Sequence, residues 1–181
     1  TTGNQVTAHR YDDTGALAET ILPPTTTPGA FLPADVGLIA ANFDPALAVT
    51  TSTALTTNGV LYLQRVRLDS PRPITNIVVA VTTAGATLTA GQSGAALYDS
   101  AGTLMAGSQT ADQSTVWTST GVKTMALGTP QTLPAGYYWV ALWANGTTRP
   151  AFVRGNSAVA VNGVLAAASA RFATSNTAVT T

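Results

Sequence analysis

The stretch Leu133–Trp143, which reads LPAGYYWVALW, decides the fold of this chain. Its Pro and Gly indicate a tight turn, and the aromatic and aliphatic run after them is typical of a β-strand in a sandwich core. Side chains alternate along a strand. We therefore expect one face to carry Tyr137, Trp139, Ala141 and Trp143, and the other Tyr138, Val140 and Leu142.

Short apolar runs separated by turn residues continue this pattern on both sides of the stretch. Predicted strands include residues 60–68, 74–82, 95–98, 123–127 and 149–154. Strands of this length and spacing, with hardly any helical periodicity, are typical of antiparallel sandwiches. We predict an all-β fold, a jelly-roll-like antiparallel β-sandwich over residues 31–181, with at most one short helix.

Three segments carry more specific predictions. The run Val60–Leu68 alternates over its second half, which places Leu63, Arg65 and Arg67 on one face. The run Ile77–Val81 is continuously apolar and β-branched, which predicts a strand buried on both faces or at the sandwich core. Asp99–Gly102 has the composition of a hairpin turn with a glycine bulge.

The first 30 residues differ from the rest. Val6–Tyr11 predicts an edge strand, and Asp12–Gly15 predicts a turn. Pro23–Gly29 is too rich in proline for a helix or a central strand, so residues 1–30 are expected to form an extended N-terminal arm and linker. Near the other end, Val164–Phe172 fits a short helix or irregular loop about as well as a strand.

The amino-acid composition favours assembly with other protein subunits and disfavours binding to nucleic acid or insertion into a membrane. Charged residues make up 9 % of the 181 residues, and the 8 Lys and Arg residues balance the 8 Asp and Glu residues. No basic surface for nucleic acid is expected from this balance. A charge-poor surface is poorly protected against association, which favours a chain that lives inside an assembly over a monomer with a threonine-rich surface. No run approaches the roughly 18 apolar residues of a membrane helix, so no membrane insertion is expected.

Catalytic and metal-binding chemistry has little support. The chain has one histidine, His9, one glutamate, Glu19, and no cysteine. The sole acidic pair, Asp12-Asp13, lacks the spacing of a calcium loop. Several other aspartates lie in turn sequences, where capping of the backbone explains them: Asp35, Asp44, Asp69, Asp99 and Asp112. We predict no catalytic residue, no metal ligand and no cofactor.

Aromatic residues are the best candidates for ligand contact. The candidates are Trp117, Tyr137, Trp139 and Trp143, since exposed rings on a rigid sheet suit the stacking of sugar rings. Trp117 follows a polar segment and is the first choice for a ligand-facing ring on a loop. The alternative is that these rings fill the core and a subunit interface, where large aromatics usually contribute most.

A resemblance to a known family is carried by the order and spacing of several motifs. They are Pro33-Ala34-Asp35 with Gly37–Ala40, Val60–Leu63 with Arg65-Val66, Leu88–Gly94 with Leu97-Tyr98, Leu133–Tyr138, and Arg149-Pro150. In these, residues 31–175 resemble a β-sandwich module of actinobacterial (Streptomyces-type) phage structural proteins of the minor tail or fibre type. The resemblance implies no catalytic residues. It also implies a further segment after Arg171–Ala173, so that the closing strand is expected from another subunit or from sequence beyond this chain.

These observations lead to one preferred hypothesis and one alternative. The preferred hypothesis is a non-enzymatic virion structural protein, of tail-fibre, spike or head-decoration type. Its expected partners are copies of itself in a homotrimer, other virion proteins, and a glycan of the host cell surface. The alternative is a secreted carbohydrate-binding module, which predicts solvent-exposed rings at Trp117, Trp139 and Trp143. An enzyme ranks last.

Overall fold

A computed structural model describes residues 8–11, 17–21, 32–44, 48–155 and 172–175. The chain divides into two compact units, Thr1–Phe31 and Leu32–Thr181. In the first unit, strands β1 (Ala8–Tyr11) and β2 (Leu17–Ile21) pair antiparallel. β1 coincides with most of the predicted edge strand, and β2 is a partner that the sequence did not predict. The turn at 12–15 and the proline-rich stretch at 23–29 lie outside the described residues.

The second unit is the all-β sandwich that the sequence predicts. Its strands are β3 (Ala48–Ala54), β4 (Tyr62–Leu68), β5 (Arg72–Thr83), β6 (Ala86–Tyr98), β7 (Gly121–Leu133), β8 (Gly136–Thr148), β9 (Ala151–Gly155) and β10 (Phe172–Thr174). Two short 3-10 helices, Pro33–Val36 and Val116–Thr118, are the helical elements among the described residues. Of the predicted helix or strand at 164–172, only Phe172 is described, and it begins β10.

Two four-stranded antiparallel sheets pack against each other. The first sheet has the strand order β10-β4-β8-β6, and the second has the order β3-β9-β5-β7. The core between them is formed by buried side chains of both sheets, which include Tyr62, Leu68, Ile77, Val81, Leu97, Met125, Leu133, Tyr138, Leu142 and Phe152. Burial of this apolar set is the main force that holds the two sheets together.

Strand β8 has the alternation that its sequence predicts. Tyr138 and Leu142 are buried in the core between the sheets. The side chains of alternate residues, including Tyr137, Trp139 and Trp143, therefore lie on the outer face of the first sheet. The aromatic stretch is thus a central strand with a different set of rings on each face.

Strand β5 confirms one of the two alternatives predicted for Ile77–Val81, a strand at the sandwich core, and shows that the other, burial on both faces, is wrong. Ile77 and Val81 are buried in the core, but Val78 between them is 40 % exposed. β-branched residues favour any pleated, half-buried strand, so a continuous run of them did not require burial on both faces. One face of β5 packs on the core, and the other is the outer surface of the second sheet.

The connection between β6 and β7 begins with the predicted hairpin turn. Asp99 Oδ1 accepts hydrogen bonds from the backbone N–H groups of Ala101 (2.9 Å) and Thr103 (2.8 Å). Gly102 has a φ of +87°, a left-handed conformation that glycine adopts without steric cost. Tyr98 and Leu104 then form a single antiparallel bridge, so the turn is confirmed, although no long second strand follows it.

Residues 99–117 of this connection, including the turn, lie along one side of the sandwich and seal it. We call this segment the edge-sealing loop. Along β6, Ser108 Oγ accepts from the Leu97 N–H (3.1 Å) and donates to the Leu97 carbonyl (2.9 Å), while Thr110 Oγ1 accepts from the Ala95 N–H. Along β7, the N–H groups of Gly128 and Thr129 donate to carbonyls of the loop. The loop therefore satisfies backbone groups on the edge strands of both sheets.

Candidate functional site

The outer face of the first sheet brings arginine and aromatic side chains together. In the antiparallel register, Arg65 of β4 lies opposite Trp139 of β8, and Arg67 lies opposite Tyr137. On the other side of β8, Tyr98 of β6 lies opposite Trp139. Directly opposite residues in a sheet share a face. We call this set, Arg65, Arg67, Tyr98, Tyr137 and Trp139, the aromatic–arginine face.

The two guanidinium groups stack against the rings. The Arg65 Cζ atom lies 4.0 Å from the Tyr137 ring centroid and 5.9 Å from that of Trp139. The Arg67 Cζ atom lies 5.9 Å from the Tyr137 ring centroid. These distances are within the range of cation–π attraction. Cation–π attraction therefore holds the arginines and rings against one another on the sheet surface. Tyr137 remains 45 % exposed there.

Among the described residues, the charged groups on this face include two guanidinium groups and one neighbouring carboxylate. Arg67 Nε lies 3.0 Å from Asp69 Oδ1, and both side chains are well exposed, so solvent screens their attraction. Burial raises the pKa of the Tyr98 hydroxyl, so that side chain stays a neutral phenol at physiological pH. The face thus combines apolar ring surface with charged side chains.

Trp117, the first choice for a ligand-facing ring, is a core residue instead. Its exposed fraction is 0 %, and its ring meets that of Phe152 edge to face at a centroid distance of 5.2 Å. The residue does lie on a connection, in the second 3-10 helix, but the edge-sealing loop turns its side chain inward. The polar residues before it therefore predicted its position on a loop but not the direction of its ring.

Trp143 is on the outer face, as the alternation predicts, yet it is only 8 % exposed. Its opposite residue on β6 is Gly94, and a Cβ atom there would lie 2.8 Å from the indole ring. The missing side chain lets the ring lie close against β6, where it packs with Leu61 and Ala96. Of the four predicted ligand-contact residues, Tyr137 and Trp139 therefore have accessible surface, whereas Trp117 and Trp143 are buried.

The arginines of this face were not predicted as site residues. The sequence places Arg65 and Arg67 on the same face of β4, but it does not say which strand lies beside β4 or in which register. A one-residue slip would move both side chains to the opposite face. The pairing of β4 with β8 supplies this information, because it sets Arg65 beside Trp139 and Arg67 beside Tyr137.

The aspartates that the structure describes mostly bind backbone or hydroxyl groups nearby. Asp35 Oδ2 accepts from the Leu32 N–H (2.9 Å), and Asp112 Oδ1 accepts from the Ser114 N–H (3.1 Å). Partial burial by itself would raise the pKa of Asp112, but hydrogen bonds from Ser114 and from the backbone of Gly91 and Ser93 outweigh it and lower the pKa. The contacts of Asp99 at the hairpin turn and those of Asp112 confirm the prediction that these aspartates cap backbone N–H groups in turns. Asp35 makes a contact of the same kind.

The described part of the chain has neither a cluster of metal-ligating side chains nor a helix that could span a membrane. It contains no group of three or more His, Cys, Asp or Glu side chains that could hold a metal ion. It also contains no helix with the length and apolar character needed to cross a bilayer. His9 is described only in its backbone, so its side chain is not assigned to any site.

A cavity of about 770 Å³ is lined by residues 36–43 together with residues of both sheets, among them Val78 and Val122 of the second sheet. Core side chains such as Val66, Leu97 and Phe152 line it, and Gln64 and Asn42, which hydrogen-bond to each other, are also in its wall. None of the described residues that line it is charged. The cavity is therefore an apolar space, chemically unlike the aromatic–arginine face.

Arg149, in the Arg149-Pro150 motif, has a structural role. Its guanidinium group donates to the carbonyl oxygens of Thr56 (2.7 Å) and Gly146 (3.1 Å) and to Asn58 Oδ1 (2.8 Å), and it also donates to the Leu55 carbonyl. These bonds join the segment before β4 to the end of β8. This arginine is therefore committed to holding the fold, unlike the two on the outer face.

Comparison of the chain with protein-family models, with curated proteins and with solved structures finds no match. The aromatic–arginine face is the part of the described structure that combines accessible rings with charged groups.

Proposed function

We propose that this protein is a non-enzymatic structural module of a bacteriophage particle, of tail-fibre, spike or head-decoration type. It assembles with copies of itself as a homotrimer, contacts other virion proteins and displays a surface for host contact. The observation that carries the proposal is the uncharged outer face of the second sheet. The phage context comes from the motif resemblance in residues 31–175.

This outer face is formed by alternate residues of β5 and β7. Directly opposite pairs on it are Asn76 with Ala126, Val78 with Thr124, and Ala80 with Val122. None of these six side chains is charged, and Val122 is 71 % exposed. We call this set the neutral face.

An exposed apolar surface on a sheet favours contact with another protein surface. In a homotrimer, the neutral face of each copy would lie against a different surface of its neighbour. An uncharged face makes this contact without like-charge repulsion, which makes the surface suitable for self-association. The low charge of the whole chain supports the same conclusion, because few charges are available to keep copies apart.

The proposal is tested by the oligomeric state of the full chain in solution. Sedimentation velocity at about 50 µM should give a trimer for the wild type and a monomer for the double variant Val78→Lys with Val122→Lys, because burying the added charges in the contact costs desolvation free energy. Thr103→Lys adds a charge at an exposed turn outside the neutral face and should leave the trimer intact. A wild-type chain that stays monomeric at this concentration would remove the assembly part of the proposal.

The phage assignment has its own test. Mass spectrometry of purified particles from an actinobacterial phage whose genome encodes this chain should detect it among the structural proteins. Its absence from intact particles, together with its presence in the culture medium of an uninfected host, would favour the alternative.

That alternative, a secreted carbohydrate-binding module, is supported by the accessible surface of Tyr137 and Trp139. It differs in two measurable ways, since it predicts a monomer and does not require association with a particle. The buried positions of Trp117 and Trp143 weigh against the original form of this hypothesis, in which three tryptophan rings contact the sugar.

A further inference from the structure

We propose that two asparagine–glycine pairs, Asn58-Gly59 and Asn145-Gly146, are deamidation sites that hold each other unreactive in the folded protein. Deamidation converts an asparagine spontaneously into aspartate or isoaspartate. The inference does not depend on the proposed function, because it rests on hydrogen bonds within one copy of the chain. A third pair, Asn162-Gly163, lies outside the described residues.

An asparagine followed by glycine is especially prone to this reaction, because glycine has no side chain to shield its own backbone nitrogen. That nitrogen loses its proton and attacks the side-chain Cγ atom of the preceding asparagine. A C–N bond forms, ammonia leaves, and a five-membered succinimide ring results. Water then opens the ring at either carbonyl, which gives aspartate or isoaspartate. The attack requires the nitrogen and the side chain to approach each other in one defined geometry.

In the folded protein each glycine nitrogen is bonded to the other pair. The Gly59 N–H donates to Asn145 Oδ1 (2.5 Å), and the Gly146 N–H donates to Asn58 Oδ1 (3.1 Å). The two bonds are reciprocal, since each asparagine accepts from the glycine that follows the other asparagine. We call these four residues the asparagine clasp. Its bonds direct each glycine nitrogen and each asparagine side chain towards the opposite pair, and so away from the geometry of attack.

Both asparagine side chains of the clasp make a further hydrogen bond. Asn145 Nδ2 donates to Gln92 Oε1 (2.8 Å), and Asn58 Oδ1 also accepts from Arg149 Nη1 (2.8 Å). Donors on Asn58 Oδ1 draw electron density from the Cγ atom, which by itself would favour attack there. Protection of Asn58 therefore depends on the bond that holds the Gly59 nitrogen.

The two glycines differ in how closely they are packed. A Cβ atom on Gly146 would lie 2.6 Å from the Thr87 carbonyl oxygen, so β6 packs tightly against this part of β8. Gly59 lies in the turn before β4 with a left-handed φ of +71°. Strand packing thus adds to the protection of Asn145, whereas Asn58 is exposed to the water that the reaction consumes. We expect Asn58 to be the more sensitive site when the clasp is opened.

The test is the rate of deamidation at each pair, measured by peptide mapping with mass spectrometry after incubation of the full chain in mildly alkaline buffer. One wild-type sample is folded, and the other is unfolded in guanidinium chloride. Asn58 and Asn145 should each react at least about tenfold more slowly in the folded sample, because the clasp excludes the geometry of attack. Equal rates in the two samples would overturn the inference.

Two variants at position 145 isolate the bond to the Gly59 nitrogen. Asn145→Ala removes the acceptor and should speed deamidation of Asn58 at least about fivefold in the folded chain. Asn145→Asp keeps an acceptor oxygen and should leave Asn58 protected. Both variants lose the side-chain N–H donor to Gln92, so the difference between them reports on the acceptor alone. Thr148→Ala, at an exposed position further along β8, is the control and should leave the Asn58 rate unchanged.

The reciprocal variant tests the other half of the clasp. Asn58→Ala should speed deamidation of Asn145, by a smaller factor because β6 still packs against Gly146. All variants are incubated at a temperature at which circular dichroism shows them folded, and Asn58→Ala decides the result if Asn145→Ala does not fold. Equal Asn58 rates in Asn145→Ala and Asn145→Asp, or an unchanged Asn145 rate in Asn58→Ala, would contradict the mutual protection.

Discussion

The edge-sealing loop and the aromatic–arginine face use similar polar and aromatic residues in opposite ways. In the loop, Ser108 and Trp117 are fully buried, and their neighbours bond to the edges of both sheets. On the face, Tyr137 remains half exposed and Arg65 stacks on it. Loops on a rigid scaffold usually carry recognition. Here the long connection holds the sheets together, and the accessible chemistry lies on a strand surface.

The largest expected effect is a difference in the free energy of unfolding between a tryptophan variant in the loop and one on the face. Trp117→Ala should lower the free energy of unfolding by about 3–5 kcal/mol, because it removes a fully buried aromatic ring from the core. Trp139→Ala, at a partly exposed position, should cost under about 1 kcal/mol. Urea unfolding followed by circular dichroism measures both. Equal losses at the two positions would break the comparison.

A smaller effect is expected from the hydrogen bonds of the loop. Ser108→Ala removes both side-chain bonds to Leu97 and should cost about 1–3 kcal/mol, because it leaves the buried Leu97 N–H without a partner, while the Leu97 carbonyl keeps its bond from the Met105 N–H. Ser100→Ala, at an exposed turn position, is the control and should be close to neutral. Faster hydrogen exchange at the Leu97 amide in the Ser108 variant would locate the effect. Unchanged stability and exchange would mean that the loop does not seal this edge.

The smallest effect depends on pH and concerns Asp112 in the same loop. Hydrogen bonding lowers the pKa of this carboxyl group in the folded protein despite partial burial, so its charged form stabilises the fold. That contribution is fully present above the ordinary pKa of about 4 and is lost as pH falls through the lowered pKa. The stability difference between wild type and Asp112→Asn should therefore shrink between pH 5 and pH 2 in thermal unfolding scans. A difference that grows in acid would contradict the direction of the shift.

The fold was predictable because strand alternation and turn chemistry are local properties. The two faces of β8 and the capped turn at Asp99 follow from residues close together in the sequence. The site was only partly predictable because exposure depends on what lies across the sheet. Trp143 is buried beside a glycine on another strand, and Trp117 is turned into the core by a loop. Arg65 became a site residue only through the register between β4 and β8.

The hydrogen bonds of the edge-sealing loop also bear on how the protein resists fibre formation. Open-ended growth through strand pairing requires a free edge at both flanks of a sheet. On β6, backbone groups from Ser93 to Leu97 already bond to the loop, so an incoming strand from another molecule finds them occupied. The loop therefore removes this part of the β6 edge from pairing with another molecule, in a chain that has few charges to oppose such contacts.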